Sequence, residues 1–143
     1  MKTLVIGKSG QLASSFKKVD QAAQLTFLGQ KDFHVADRES VVSAVNKFKP
    51  QVIVNCAAYT LVDLAEKEKD NCKKLNVDFV SYLADWCADN NCKLIHFSTD
   101  YVFNGMKNGN YVEADVIDPI NWYGATKAQG EKYLMASKAD AVI

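Results

Sequence analysis

Short apolar runs alternate along this chain with longer stretches whose apolar residues recur every three or four positions. The apolar runs predict strands at residues 4–6, 25–28, 52–54, 94–97 and, just beginning, 139–143. Helical spacing follows residue 10, covers 39–48 before Pro50, extends over 61–90 and resumes after Pro119 to about residue 137. The segment between Gly29 and Asp37 predicts a loop with at most an edge fragment, because parallel neighbours need a longer crossover.

Alternating strands and helices with nearly continuous apolar strands are typical of a parallel sheet covered on both faces. The pattern therefore predicts an α/β fold, a Rossmann-like doubly wound parallel sheet flanked by helices. In such a sheet, ligands bind outside the carboxyl ends of the strands, where the strand order reverses. The glycine-rich and polar stretches of this chain follow the predicted strand ends, so we expect a site there.

The composition narrows the class of protein. At 143 residues the chain has the length of one domain, and 48% hydrophobic with 24% charged residues is ordinary for a globular protein. Its 17 basic and 17 acidic residues cancel, which argues against nucleic acid or an anionic membrane as a partner. The apolar run at residues 1–6 is far too short for a signal sequence, and no later run approaches the ~20 apolar residues of a spanning helix. We therefore expect a cytoplasmic protein.

The cysteines and histidines show no metal-ligand spacing, so we expect no metal site. Cys56, Cys72, Cys87 and Cys92 form no C-x-x-C pair, and three of them lie in apolar stretches. We interpret them as reduced, structural thiols. His96 lies in an apolar strand, which favours a hydrogen-bonded core residue over a catalytic base.

A glycine-rich turn follows the first predicted strand. Gly7, Gly10 and Ala13 form a G-x-x-G-x-x-A variant of the dinucleotide-binding fingerprint. The glycines permit unusual backbone angles and a close approach to a pyrophosphate, which the first N–H groups of a helix can hold. The same residues also fit a tight turn that binds nothing, but the position at a strand end favours a cofactor.

Tyr123 and Lys127 lie four residues apart in the predicted helix after Pro119. This spacing places them on one face with a rise of about 6 Å. A free tyrosine has a pKa of about 10, and a nearby fixed cation favours the phenolate. The pair makes Tyr123 a candidate general acid, although the spacing alone also fits a half-buried ring beside a solvated amine.

Four motifs together cover almost the whole chain. They are GKSGQL at 7–12, VNCAAYTLVD at 54–63, HFSTDYVFNG at 96–105 and NWYGATK at 121–127. In this order and spacing they resemble the extended short-chain dehydrogenases, and within them the dTDP-4-dehydrorhamnose reductases of nucleotide-sugar metabolism. The STDYVF-x-G run is the most specific of the four.

The resemblance implies a role for each matching residue. Thr99 would hydrogen-bond the substrate carbonyl, Tyr123 would donate the proton, and Lys127 would hold the nicotinamide ribose and lower the tyrosine pKa. Asp100 would contact the sugar. The resemblance implies further cofactor contacts from Gly7, Gly10, Gln11, Leu12, Ala57, Ala58 and Tyr59, with Asn76 near the nicotinamide side.

The implied reaction is hydride transfer from NADPH or NADH to C4 of a dTDP-4-keto-6-deoxyhexose, which gives dTDP-rhamnose. The cofactor supplies the hydride, and the protein supplies placement and a proton. The second predicted strand is followed by Gly29, Gln30 and Lys31, with no acidic residue at its tip for the ribose hydroxyls. Lys31 is a candidate partner of a 2′-phosphate, which favours NADPH, and it also fits a solvated loop lysine.

Members of the resembled family continue into further strands and a smaller lobe that completes the sugar-nucleotide site. We therefore interpret residues 1–143 as an incomplete NAD(P)-binding domain without the C-terminal substrate lobe, and expect weak cofactor binding, little turnover and self-association into a homo-oligomer. One alternative is a non-catalytic NADP-binding module similar to the regulatory beta subunit of methionine adenosyltransferase. Another is a phosphate- or flavin-binding doubly wound domain, which leaves the motifs around Thr99 and Tyr123 unexplained.

Overall fold

The computed structural model describes residues 1–20 and 23–143, and these contain a five-stranded parallel sheet. The strands are β1 (Thr3–Ile6), β2 (Leu25–Leu28), β3 (Val52–Asn55), β4 (Lys93–His96) and β5 (Ala141–Val142). Their order across the sheet is β2-β1-β3-β4-β5. The chain moves outward in one direction from β1 to β2 and in the other from β3 to β5, so the strand order reverses between β1 and β3.

Helices connect the strands. They are α1 (Gln11–Val19), α2 (Arg38–Asn46), α3 (Val62–Ala65), α4 (Lys69–Lys73), α5 (Phe79–Asn90) and α6 (Trp122–Ala136). A π-helical turn (Lys74–Asp78) joins α4 to α5, and a 3-10 turn (Asp100–Val102) follows β4. This architecture is the doubly wound parallel fold that the hydrophobic pattern predicts.

Alternation along the strands divides the core into two layers. Leu4 and Ile6 of β1 point into the larger layer, which also contains Val41 of α2, Phe79 of α5 and Leu134 of α6. Val5 of β1 lies on the opposite face of the sheet, in a smaller cluster. That cluster contains Ala13 and Phe16 of α1 together with Val52 and Val54 of β3.

Local signals explain where α2 and α5 begin and end. The Asp37 side chain accepts hydrogen bonds from the backbone N–H groups of Glu39 and Ser40, which caps α2. The helix ends before Pro50, and α5 ends at Asn91, whose φ of 51° is a left-handed helix end. The loop predicted between Gly29 and Asp37 contains no strand in the structure.

The helical zone predicted over 61–90 is divided into several pieces. After α3 the chain turns at residues 66–68, and two carboxylates of this turn bind other segments. Glu66 Oε1 accepts the backbone N–H of Trp122 at 2.7 Å, and Glu68 Oε2 accepts the Tyr59 hydroxyl at 2.9 Å. The turn therefore fixes the first residue of α6 beside the loop that follows β3.

Two glycines let α6 pack directly on neighbouring backbone. A Cβ at Gly124 would collide with the carbonyl group of Tyr101, and a Cβ at Gly130 would collide with that of Asn76. Glycine weakens an isolated helix, but Gly130 is required here because the π-helical turn approaches α6 closely at this position. No helix in the described part of the chain is long and apolar enough to cross a membrane.

Candidate active site

Two adjoining cavities form a trench along the carboxyl ends of the strands. The first, about 350 Å³ in volume, lies over β1 and β2, and we call it the glycine cavity. The second, about 380 Å³, lies over β3 and β4 beside α6, and we call it the lysine cavity. The two cavities share Gly10, Cys56, Ala57 and Ala58 in their walls. The trench therefore crosses the point where the strand order reverses, which is where ligands bind in such sheets.

Another depression, about 680 Å³ in volume, lies on the outer surface of α2 and is shallow and open. Its walls come from α2 and the residue that follows it: Arg38, Glu39, Val42, Ser43, Asn46 and Lys47. A ligand site normally brings polar groups from several elements to one point. The trench has this property and the depression on α2 does not, so we place the site in the trench despite its smaller volume.

The glycine turn closes one wall of the trench. Gly7 has a φ of +103°, which favours glycine, and a Cβ there would lie 2.9 Å from the backbone N of Ala57. Gly10 has an ordinary φ of −74°. Of these two glycines, only Gly7 therefore needs an unusual backbone angle. Because Gly7 has no side chain, the loops that follow β1 and β3 can pack against each other.

The N-terminus of α1 is open toward the trench. Its N-cap residue is Gly10, and no described side chain caps its first N–H groups. The first turn of α1 contains no acidic residue, whereas α2 and α6 are capped by the side chains of Asp37 and Asn121. The free N–H groups and the positive end of α1 suit a phosphate or pyrophosphate.

Tyr123 and Lys127 both line the lysine cavity, one turn apart on α6. The Tyr123 ring is 8% exposed and packs edge-to-face on Tyr101, with ring centroids 5.6 Å apart. Cys72 and Ala65 pack against it in a small apolar cluster. The ring is thus held by its surroundings, and the residue also lines the lysine cavity.

The Lys127 amine is held at the floor of the lysine cavity. The residue is 2% exposed, and its Nζ donates a hydrogen bond to the Phe97 carbonyl oxygen at 2.5 Å. Burial lowers the Lys127 pKa to about 8, partly opposed by the charge of Glu131. An amine in this state exchanges protons near neutral pH, which is unusual for lysine.

Beneath Lys127 lies a buried histidine. His96 is 2% exposed, and its Nε2 lies 3.3 Å from Lys127 Nζ. Its Nδ1 lies 3.2 Å from Nδ2 of Asn55. Burial and the neighbouring Lys127 charge lower the His96 pKa to about 3, so the ring is neutral at physiological pH. The core position expected for His96 is confirmed.

A further polar cluster supports α6 from below. Asn76 is 1% exposed; its Oδ1 accepts the Tyr59 N–H at 2.8 Å, and its Nδ2 donates to Thr126 at 3.2 Å. Thr126 in turn donates to the Tyr123 carbonyl oxygen at 2.8 Å. Asn76 is thereby a buried tie between three segments. On the other side of Lys127, Ser98 donates a hydrogen bond to Glu131.

The structure places the candidate residues in different ways. Those in the trench walls are Gly7, Gly10, Gln11, Leu12, Ala57, Ala58, Tyr123 and Lys127. Thr99 begins the 3-10 turn, where its hydroxyl accepts the Tyr101 N–H and lies 3.2 Å from Asp100 Oδ1. Tyr59, Lys31, Thr99 and Asp100 are not among the residues of the two cavity walls.

Lys31 is exposed in the turn after β2. In that turn the Asp32 carboxylate accepts a hydrogen bond from the backbone N–H of Gly29 at 2.8 Å. The acidic residue nearest the tip of β2 therefore binds the backbone of its own turn. Gln30, which precedes Lys31, lines the glycine cavity.

Several wall residues were not singled out as contacts from the sequence. In the lysine cavity these are Asn55, Cys56, Thr60, Phe97 and Ser98; in the glycine cavity they include Leu75 and Phe79. The first group lies within the quoted motifs, so its position at the ends of β3 and β4 was a usable signal. The second group comes from helix positions that sequence periodicity does not direct to the trench.

Comparison with known proteins agrees with this geometry. The family model described as "RmlD substrate binding domain" matches residues 1–143. The chain belongs to this family. Among curated relatives of this RmlD-family chain, the dTDP-4-dehydrorhamnose reductase of Aggregatibacter actinomycetemcomitans is 40% identical over 143 residues, which are 98% of this chain and 49% of the relative. That of Sinorhizobium fredii is 40% identical over 132 residues, 92% of this chain and 45% of the relative.

Solved structures match over the same portion. A dTDP-4-dehydrorhamnose reductase from Clostridium acetobutylicum superposes with a TM-score of 0.92 at 31% identity, covering 99% of this chain and 51% of that one. The Bacillus anthracis reductase in complex with NADP has a TM-score of 0.92 at 31% identity, covering 99% and 52%. The RmlD-family chain thus spans about half the length of the relatives it matches.

Proposed function

We propose that this chain is the cofactor-binding half of a reductase that converts a dTDP-4-keto-6-deoxyhexose to dTDP-rhamnose. The observation that carries the proposal is the position of Tyr123 and Lys127 in a cavity that continues into the glycine turn. A proton donor and an extended cofactor would then meet at one end of a single trench. The reductases that this chain resembles and its RmlD family membership support the same assignment.

The residues present fit NADPH. The pyrophosphate would lie at the uncapped N-terminus of α1, where Gln11 and Leu12 begin the helix. The adenosine part would occupy the glycine cavity between Gly29 and the apolar residues Phe33 and Val35. When bound, the cofactor supplies the hydride. The reductase from Bacillus anthracis was solved in complex with NADP, which supports NADPH over NADH.

The chain's own residues would supply the proton and its control. Tyr123 would donate its phenolic proton to the ketone oxygen as the alkoxide forms. Lys127 lies one turn away at the cavity floor, where it would bind the ribose and hold positive charge near the phenol. Thr99, in the turn that packs on α6, would hydrogen-bond the same ketone, and Asp100 would contact the sugar.

Cofactor binding can be tested on this chain by filling the trench. Ala58 lines both cavities, so Ala58→Leu places a larger side chain between the two halves of the cofactor. We expect calorimetry to show NADPH binding by the native chain and at least about a tenfold loss in this variant, equivalent to about 1.4 kcal/mol. Ala136→Leu, on the exposed end of α6, is the matched control. Equal affinity in both variants would place the cofactor elsewhere.

The proton-donor role is tested by Tyr123→Phe. The phenyl ring keeps the contact with Tyr101, so we expect unchanged NADPH affinity and fold. In a protein that carries out the full reaction, hydride transfer should fall by about 10²- to 10⁴-fold, the usual contribution of a general acid. Because this chain spans half the length of its relatives, we expect turnover of a keto sugar by the chain alone to be low or absent. Rapid turnover by the phenylalanine variant would remove Tyr123 from the mechanism.

The preference for NADPH has its own test. Lys31 is the candidate partner of the 2′-phosphate, although it lies in the exposed turn outside the cavity walls. If it closes on the phosphate, Lys31→Ala should weaken NADPH binding and leave NADH binding unchanged. The exposed Lys18 at the end of α1 provides the control, since Lys18→Ala makes the same change in net charge. Equal losses for NADPH in both variants would leave only a nonspecific charge effect.

A further inference from the structure

The hydrogen bonds beneath Lys127 determine the position of a proton. Asn55 Oδ1 accepts the backbone N–H of Ala57 at 3.1 Å. A backbone N–H can only donate, so this contact fixes which end of the Asn55 amide is oxygen. Its Nδ2 then faces His96 Nδ1 at 3.2 Å, and an amide nitrogen can only donate. His96 Nδ1 must therefore be the acceptor.

The second ring nitrogen follows from the first. In a neutral imidazole one nitrogen is a donor and the other an acceptor. With Nδ1 accepting from Asn55, the ring proton lies on Nε2, and Nε2 lies 3.3 Å from Lys127 Nζ. An ammonium has three donors and no acceptor, so an N–H that points at it is repelled. A neutral amine has a lone pair that accepts that N–H.

We propose that Asn55 and His96 are positioning residues for Lys127. Asn55 holds the imidazole with its proton on Nε2, and that N–H donates to the amine and favours its uncharged form while the site is empty of ligand. Protonation of Lys127 then requires the amine to leave His96, or the ring to move its proton to Nδ1. The importance of this pair for catalysis rests on the proposed function, but its geometry does not.

The consequence links the two cavities. A proton on Nδ1 needs an acceptor in place of Asn55 Nδ2, and turning the Asn55 amide would break its contact with Ala57. Ala57 lines both cavities. When the ring moves its proton, a ligand that binds Lys127 as an ammonium is therefore favoured if it also changes the loop after β3. By this route, occupation of the trench is coupled to the charge on Lys127 through Ala57, Asn55 and His96.

Other charged or titratable groups face the same amine. Glu131 and Tyr123 lie on α6, and Cys72 lies on α4. Glu131 favours the ammonium and is 7% exposed, so the Nε2–H of His96 opposes its effect. This opposition between Glu131 and His96 is the feature that a measurement can resolve.

Nitrogen NMR of the native chain tests the assignment directly. The two imidazole nitrogens give distinct shifts in the two tautomers, and His34→Gln leaves His96 as the single histidine for assignment. We expect His96 to be neutral with its proton on Nε2 at pH 9, where the Lys127 amine, whose pKa is about 8, is mostly uncharged. Finding the proton on Nδ1 would overturn the proposal. This readout needs no cofactor, so it stands or fails separately from NADPH binding.

A near-isosteric variant tests the coupling. In Asn55→Asp, one oxygen can still accept the Ala57 N–H while the other accepts a proton on His96 Nδ1, so the tautomer should switch. Nε2 then becomes an acceptor for an ammonium, and the Lys127 pKa measured at Nζ should rise by at least about one unit, a tenfold change in proton affinity. Cys56→Asp adds the same charge to the cavity wall but leaves the Asn55 amide in place.

The two variants distinguish an effect transmitted through His96 from the direct effect of an added negative charge on Lys127. A larger rise in Asn55→Asp than in Cys56→Asp, together with the tautomer switch, supports the proposal. An equal rise in both variants, or a switched tautomer with an unmoved Lys127 titration, contradicts it. If Asn55→Asp does not fold, the tautomer of the native chain decides.

Discussion

The two cavities of the trench are built on different principles. The glycine cavity is formed largely by backbone and apolar side chains such as Phe33, Val35 and Phe79. The lysine cavity lies over the buried polar side chains of the described part of the chain: Asn55, Asn76, His96, Thr126, Lys127 and Glu131. No buried side-chain N or O atom in that part lacks a hydrogen-bond partner. One cavity offers shape, and the other offers a hydrogen-bonded network.

This contrast indicates where affinity and chemistry reside. Burying a polar group costs free energy unless its hydrogen bonds are made, so each member of the network depends on the others. Changes near the lysine cavity should therefore affect stability and protonation together. Changes near the glycine cavity should act mainly on the fit of a ligand, because few of its wall residues are hydrogen-bonded to other buried side chains.

The strongest effect should come from disturbing the seat of α6 beside the lysine cavity. Gly130→Ala places a methyl group against the Asn76 carbonyl, and Gly124→Ala places one against that of Tyr101. Both neighbours are backbone atoms and cannot rotate away. We expect each variant to lose about 3 kcal/mol of unfolding free energy in urea titrations, at the upper end of the usual cost of overpacking.

Gln129→Ala provides the control for that experiment, because Gln129 is exposed on the same helix. It should change the unfolding free energy by less than about 0.5 kcal/mol. If Gly130→Ala instead stabilised the protein, as alanine does in an unhindered helix, the close approach of α6 to the π-helical turn would be disproved.

The next effect concerns pH and the buried His96. Its pKa is lowered to about 3 in the folded chain, while an unfolded histidine titrates near ~6.5. Between these values the unfolded state binds more protons, so stability is fully present above pH 6.5 and falls as the pH drops. From pH 7 to pH 5, this group alone should remove about 2 kcal/mol of unfolding free energy.

Thermal unfolding across this pH range measures the effect. His96→Gln should flatten the dependence between pH 7 and pH 5, and His34→Gln, at an exposed position, should leave it in place. A native chain as stable at pH 5 as at pH 7 would show that protonation of His96 is not linked to unfolding.

A smaller effect on stability is expected at the N-terminus of α2, which is capped, unlike that of α1. Asp37 caps α2 through two backbone N–H groups, so Asp37→Ala should cost about 1 kcal/mol of unfolding free energy. Asp37→Asn keeps a capping oxygen and should recover most of the loss. Neither variant should alter NADPH affinity, because the ligand is expected at the uncapped α1. A weakened affinity with unchanged stability would point to a ligand contact at α2.

The weakest effect is expected at the outer edge of the sheet. Lys93 and Asp140 form a 3.0 Å ion pair between β4 and the start of β5, with side chains 44% and 67% exposed. Solvent and salt screen such pairs, so Asp140→Asn should change the unfolding free energy by less than about 0.5 kcal/mol. Measurement at low and high salt checks this, and a loss above about 1 kcal/mol would mean that the pair secures β5.

The order of elements and the motifs could be read from the sequence. Near-continuous apolar runs predicted β1 to β4 within a residue or two, because buried parallel strands need such runs. The glycine turn and the pair Tyr123 and Lys127 were also visible, since both depend on spacing within one segment. The direction of the sheet and the edge that holds the site followed from the same pattern.

How the segments meet depends on tertiary structure. The sequence did not show that Glu66 and Glu68 lie in a turn that divides the helical zone, because their partners Trp122 and Tyr59 lie in other segments. Nor did it show that Lys127 points into a buried network with His96 and Asn55. Protonation depends on burial and on neighbours brought together by folding. The local periodicity of the sequence shows neither how deeply a side chain is buried nor which neighbours folding brings to it.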